Sequence, residues 1–174
     1  VTGSRRNLVN FTSPLSLSEQ VLIQRSEPNK NGSHQTLITR VNQLAGKTVV
    51  VPKGSVYQQR LQHLMSESGE TIGIKTVDSR VTEEELIARV SRGEIDYTVA
   101  DLQIALLNQT YYANIHCATN ISFPQRKAWA VRKSSPQLLS TLNSWFDKEK
   151  SESTFHIIYN KYFRNPKRSL AFFD

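Results

Sequence analysis

Along the chain, apolar positions spaced every second residue alternate with apolar positions spaced at helical intervals. Residues 9–12 and 20–24 read as strands, parted by Ser13-Pro14. The polar stretch 27–35 reads as a loop or hairpin tip. A short helical segment through Leu37, Val41 and Leu44 stops at Gly46, and residues 48–51 then form an apolar, β-branched strand bounded by Pro52. Ser55 suits the N-cap of a helix that buries Leu61, Leu64 and Met65, with the next strand at 72–77. Thr82 and Glu85 have capping-box spacing and open a helix through Leu86, Ile87 and Val90 that ends at Gly93. A short buried strand carrying Ile95, Tyr97 and Val99 runs up to Asp101, and residues 101–111 are helical again. Strands follow at 115–118 and 128–131. Ser135-Pro136 starts a helix with Leu138, Leu142, Trp145 and Phe146, and a last helix carries Phe155, Ile158, Tyr159 and Tyr162.

This alternation implies an α/β fold with a largely parallel sheet covered on both faces. A chain of 174 residues suits one domain or two small lobes. No apolar run is long enough to span a bilayer, and no signal-peptide pattern opens the sequence. The single Cys117 excludes an internal disulfide and a Cys-rich zinc site. His34, His63, His116 and His156 are scattered, so they read as surface or packing residues, and no metal or other cofactor is implied. The net charge of +7 raises nucleic acid as a partner, but Lys and Arg are dispersed except at Lys161, Arg164, Lys167 and Arg168. With no zinc-finger, helix-turn-helix or RNA-binding aromatic motif beside that cluster, nucleic acid is rejected as a partner.

Two positions have a physical claim to ligand chemistry. Asp101 stands where a strand ends, and in open α/β sheets the carboxyl ends of strands face the ligand crevice. It is a candidate partner for a cationic group, or it simply caps the helix that follows. Lys53-Gly54-Ser55 stands between a strand and a helix start, where free N–H groups and a hydroxyl favour an anion. The plainer reading is a glycine turn followed by an N-cap. An anion site and an acid at neighbouring strand ends would suit a zwitterion such as an amino acid.

Several segments resemble a known family. Thr2-Gly3-Ser4-Arg5 followed by Val9-Asn10-Phe11-Thr12-Ser13-Pro14 is similar to the T-x-x-R…V-x-F-S-x-P passage of type II periplasmic solute-binding proteins. Leu44-Ala45-Gly46-Lys47-Thr48-Val49-Val50-Val51-Pro52-Lys53-Gly54-Ser55 and the stretch from Gly93 to Asp101 resemble two further motifs of that family. With Ala128-Trp129-Ala130 and Lys161-Tyr162-Phe163, the wording is similar to the non-catalytic N-terminal domain of the membrane-bound lytic murein transglycosylase F family. The resemblance implies a hinged, two-lobed binding domain in the bacterial periplasm, reached at the outer membrane through a parent protein. It implies that Arg5 clamps a ligand carboxylate, that Ser55 after Gly54 gives a second donor to it, and that Asp101 receives the ligand ammonium.

The same resemblance implies that the N-terminal part of the first lobe lies outside this sequence. Residues 1–17 are then hinge and remnant of lobe 1, 18–118 a complete lobe 2, and 119–174 the return crossover and C-terminal helices of lobe 1. Leu142, Trp145, Phe146, Phe155 and Ile158 would need another partner, with a second copy of the chain as one candidate. Pro52 and Val56 replace positions that help line the pocket in some relatives, which leaves side-chain selectivity open. Family members of the transglycosylase type carry a lysozyme-like catalytic domain after this region, so no catalysis is expected of this chain. The leading expectation is a sensory or regulatory domain for amino acids or muropeptides tied to a transglycosylase. An importer's solute-binding protein is the alternative, and a dehydratase is disfavoured because Asp101 has no evident proton-transfer partner.

Overall fold

A computed structural model describes residues 3–26, 36–151, 157 and 160. The backbone gathers into two compact units, one of residues 1–18 with 124–174 and one of residues 19–123. In chain order the elements are α1 (Gly3–Arg6), β1 (Val9–Phe11), β2 (Ser16–Ser18), β3 (Gln20–Arg25), a 3₁₀ turn (Val41–Leu44), β4 (Thr48–Pro52), α2 (Val56–Ser68) and β5 (Gly73–Val77). There follow α3 (Glu83–Arg92), β6 (Tyr97–Asp101), α4 (Leu102–Gln109), β7 (Ile115–Asn120), β8 (Gln125–Lys127), β9 (Ala130–Arg132) and α5 (Pro136–Ser151).

The 19–123 unit is built on a five-stranded sheet in the order β5-β4-β6-β3-β7. Strand β4 runs parallel to both β5 and β6, whereas β3 runs antiparallel to β6 and β7. The expectation of a largely parallel sheet therefore needs correcting, since one central strand runs against the rest. A fully buried strand shows the same unbroken apolar run in either orientation, so the sequence pattern could not reveal its direction. All six residues of β3 and all five of its neighbour β6 are buried, which marks this pair as the strands the unit packs around on both faces.

Alternation along the strands divides the core in two. Leu22, Val49, Val51, Tyr97 and Val99 face Tyr57, Leu61 and Leu64 of α2, with Ile38, Leu44, Ile72 and Ile121 closing that layer. Val21, Ile23, Ala100, Ile115 and Cys117 face Ile87 and Val90 of α3 and Ala105 of α4. The polar residues at the carboxyl end of β3 are satisfied rather than exposed. The Gln24 amide donates to the Ile38 carbonyl at 2.7 Å and accepts from the Ile38 N–H at 2.8 Å. Buried Arg25 donates to the Val90 carbonyl at 3.1 Å, joining the Gly93 N–H that caps the same carbonyl at 3.0 Å.

The other unit holds two antiparallel ribbons, β1 with β9 and β2 with β8. The expected strands at 9–12 and 128–131 correspond to β1 and β9, while β2 and β8 are short and polar and carry no strand pattern. Helix α5 spans 16 residues from Pro136, as its start signal indicates. Trp129, Trp145 and Phe146 cluster with ring centroids 4.9–6.5 Å apart, and Phe146 is buried while the two indoles stay half exposed. Phe155, Ile158, Tyr159 and Tyr162, expected to form the last helix, lie outside the described residues.

Gly93 closes α3 in the left-handed region, with φ +77°. A Cβ there would meet the Arg25 Nη1 at 2.7 Å, so both the backbone and its buried neighbour select glycine. Gly93→Ala is expected to destabilise the chain by about 1–3 kcal/mol, read as a lower urea midpoint at unchanged slope. An unchanged midpoint would contradict the packing of Arg25 against α3.

Candidate ligand-binding site

Because β4, β5 and β6 share one direction, their carboxyl ends meet along one edge of the 19–123 sheet. Three chain segments are delivered there. After β4, the Lys53 N–H donates to the Val77 carbonyl at 3.0 Å, which ties this turn to the end of β5. Gly54 turns the chain at φ +71°, and its N–H donates to Gln58 Oε1 at 2.8 Å. Ser55 is the N-cap of α2, with its Oγ accepting from the Gln58 N–H at 3.2 Å. That acceptor role leaves the hydroxyl proton to donate elsewhere.

Asp101 ends β6 and is buried, 7% exposed. It caps α4, with Oδ1 accepting from the Gln103 N–H at 3.0 Å. Capping occupies one of about four lone-pair directions on a carboxylate, so it does not compete with binding a cation. Directly across the ladder stands Gln20, and the Leu102 N–H donates to the Glu19 carbonyl at 2.9 Å. This makes Gln20 and Asp101 a non-hydrogen-bonded pair, so the Asp101 N–H points away from β3 toward the β4 side. Strand β4, however, pairs with β6 only at Val49–Tyr97 and Val50–Thr98.

Glu83, the first residue of α3, takes the place that β4 vacates. Its Oε2 accepts from the Asp101 N–H at 2.8 Å and its Oε1 from the Tyr57 hydroxyl at 2.5 Å. Burial pushes the Glu83 carboxyl above its ordinary range, the Tyr57 hydroxyl and the Asp101 amide oppose that, and the Asp101 and Glu84 carboxylates add to it. Burial, then the Glu83 charge, lift the Tyr57 phenol far above its usual range, so Tyr57 stays a donor. The Gln20 side-chain oxygen is buried on the same face of the ladder as Asp101, with no hydrogen-bond partner among the described residues.

The structure thus brings Gly54, Ser55 and Asp101 to one sheet edge. Arg5 belongs to the other unit, where it is exposed in α1 and its carbonyl accepts from the Leu8 N–H at 3.0 Å. Glu83 and Tyr57 join this edge without having been singled out from the sequence as site neighbours. The signal was present only in part, because a sequence does not show where a ladder stops. His63 is exposed and His116 half-buried, while His34 and His156 lie outside the described residues. Among the described residues no cluster of His, Cys, Asp and Glu is arranged to hold a metal ion.

Residues 1–165 match the family model of bacterial extracellular solute-binding proteins, family 3. The chain belongs to that family. A relative named membrane-bound lytic murein transglycosylase F, from Desulfosudis oleivorans, is 38% identical over 164 residues, covering 93% of this chain and 34% of its own length. This solute-binding domain therefore spans about a third of the length of the curated relatives it matches. An ancestral arginine-binding protein bound to arginine superposes with TM-score 0.72 at 24% identity, over 94% of this chain and 68% of its own. The substrate-binding protein AbpA of an amino-acid transporter from Streptococcus pneumoniae, bound to L-arginine, gives 0.76 at 18%, over 95% and 65%. These likenesses establish an α/β fold of the periplasmic-binding-protein kind, of which this chain covers about two-thirds.

The Glu83 charge makes a stability prediction for this solute-binding domain. With its pKa raised on folding, Glu83 contributes stability that is fully present below the unfolded glutamate value, about 4.3, and lost as pH rises through the folded value. Glu83→Gln removes the charge and retains an acceptor for the Asp101 N–H. The melting temperature of the variant relative to the parent should therefore rise between about pH 4 and pH 7. A difference that stays flat or falls over that range would show that Glu83 is not penalised by burial.

Proposed function

We propose that this chain is a periplasmic sensory or regulatory binding domain for amino acids or peptidoglycan-derived peptides, working alongside a lytic murein transglycosylase. The observation that carries the reading is the convergence of Gly54, Ser55 and buried Asp101 at the carboxyl ends of adjacent parallel strands. In this reading the Ser55 hydroxyl and the Arg5 guanidinium bind the ligand carboxylate, and Asp101 binds its ammonium. Arg suits the task because its planar fork matches a carboxylate through two parallel hydrogen bonds. The link to cell-wall cleavage is supported by the transglycosylase relatives, whose further length accommodates the catalysis that this domain is not asked to perform. Binding would then bias a neighbouring domain, which requires different affinities for two states of the protein. The parent protein would be held at a membrane, as the name of the membrane-bound relatives suggests.

The test is a calorimetric screen of amino acids, L-arginine and L-glutamine included, together with muropeptides. Asp101→Asn and Arg5→Ala are each expected to weaken the best binder at least about tenfold. A binder whose affinity neither substitution changes would remove these residues from the pocket, and a panel with no binder at all would overturn the ligand class.

A further inference from the structure

The ligand reading leaves Glu83 unexplained. It is a carboxylate taken largely out of water, held by a tyrosine and by one backbone amide, and set beside a second buried acid. Burial penalises its charge, so stability alone gives no reason for an ionisable group at this position. Its contacts suggest the reason. The Glu83 side chain hydrogen-bonds to both α2 and the end of β6, through Tyr57 and Asp101. It occupies the gap where the β4–β6 ladder has stopped, at the amide of the residue that ends β6 and caps α4.

We infer that Glu83 is a positioning residue, which sets the Asp101 carboxylate by holding the Asp101 amide against the Tyr57 hydroxyl. The chain of contacts runs Tyr57 hydroxyl, Glu83 carboxylate, Asp101 N–H, Asp101 carboxylate, Gln103 N–H. Removing the middle link takes the carboxylate acceptor away from a part-buried amide, and the strand end shifts to make up for it. The Asp101 carboxylate moves with it, because its side chain is aimed by the same peptide unit. What Glu83 supplies is an acceptor of the right length rather than a charge. A glutamine can take over, with Oε1 accepting from the Asp101 N–H and Nε2 donating to the Tyr57 oxygen, whereas alanine cannot.

The inference rests on the proposed binding site for its consequence but not for its test. Amide exchange, measured by NMR on the ligand-free chain, follows the Asp101 and Gln103 N–H groups. Glu83→Ala should lower the protection of both at least about tenfold while the Val21 and Val99 amides inside the sheet keep theirs, and Glu83→Gln should restore it. Calorimetry with L-arginine, or with the best binder of the screen, should follow the same order, with a loss of about tenfold in Glu83→Ala and recovery to within about threefold in Glu83→Gln. Unchanged Gln103 protection in Glu83→Ala would overturn the inference, and so would a Glu83→Gln variant as impaired as the alanine. Exchange that follows the expected order in a chain that binds nothing would sink the ligand reading and leave the positioning role standing.

Discussion

A buried backbone N–H must find an acceptor, and at the end of β6 the sheet does not provide one. Two neighbouring parallel strands stop pairing before the second of them ends. The ladder geometry that pairs β6 with β3 turns the Asp101 N–H toward the side where β4 is no longer in register. The acceptor comes instead from the first residue of α3, and that carboxylate in turn needs the Tyr57 hydroxyl from α2. One amide that the β4–β6 ladder does not reach thus ties two helices to one strand end. The gap that creates the problem is the strand-end crevice in which open α/β sheets place their ligands.

The same requirement shapes β3, a strand with no exposed residue. Its apolar positions Val21, Leu22 and Ile23 supply both core layers, while its polar positions are given work. Gln24 replaces strand pairing for the Ile38 peptide, and Arg25 serves the carboxyl end of α3. Burying these polar groups without partners would cost more than the apolar contacts of a single strand position return. Gln20 is the exception, with a buried oxygen that no described group satisfies, and it stands opposite Asp101. The least satisfied polar group of the strand thus lies beside the candidate site and not in the middle of the core.

Local signals were legible to the extent that their chemistry is local. Ser55 and Thr82 cap their helices, Gly93 ends α3, and Pro136 opens α5, because capping and glycine termination depend on a few consecutive residues. Asp101 had two readings in the sequence, strand-end acid and helix cap, and its position at the end of β6 and the start of α4 accommodates both. The antiparallel direction of β3 was not legible, nor were the polar three-residue strands β2 and β8. Direction and short-ribbon pairing depend on partners far along the chain, as when Ser16 meets Lys127. Glu83 escaped for a related reason. Within its own helix it is one of three acids in a first turn, and only the register of β4 against β6 distinguishes it from Glu84 and Glu85.

The sign of charge at this sheet edge follows from which helix start carries an acid. Helices α2, α3 and α4 all begin there. Glu83 at the start of α3 is engaged by Tyr57 and Asp101, which leaves α2 and α4, whose starts each present N–H groups and a positive dipole end that attract anions. At α2 the cap is the neutral Ser55, so the attraction for an anion stands and a hydroxyl proton adds to it. At α4 the cap is Asp101, whose carboxylate outweighs the half charge of an eight-residue helix and reverses the preference. Two equivalent helix starts thereby become unlike poles. A ligand bearing one charge gains from only one of them, whereas a zwitterion gains from both. On this ground an amino acid, or the free end of a peptide, is a better match for the proposed pocket than a simple anion or a simple amine.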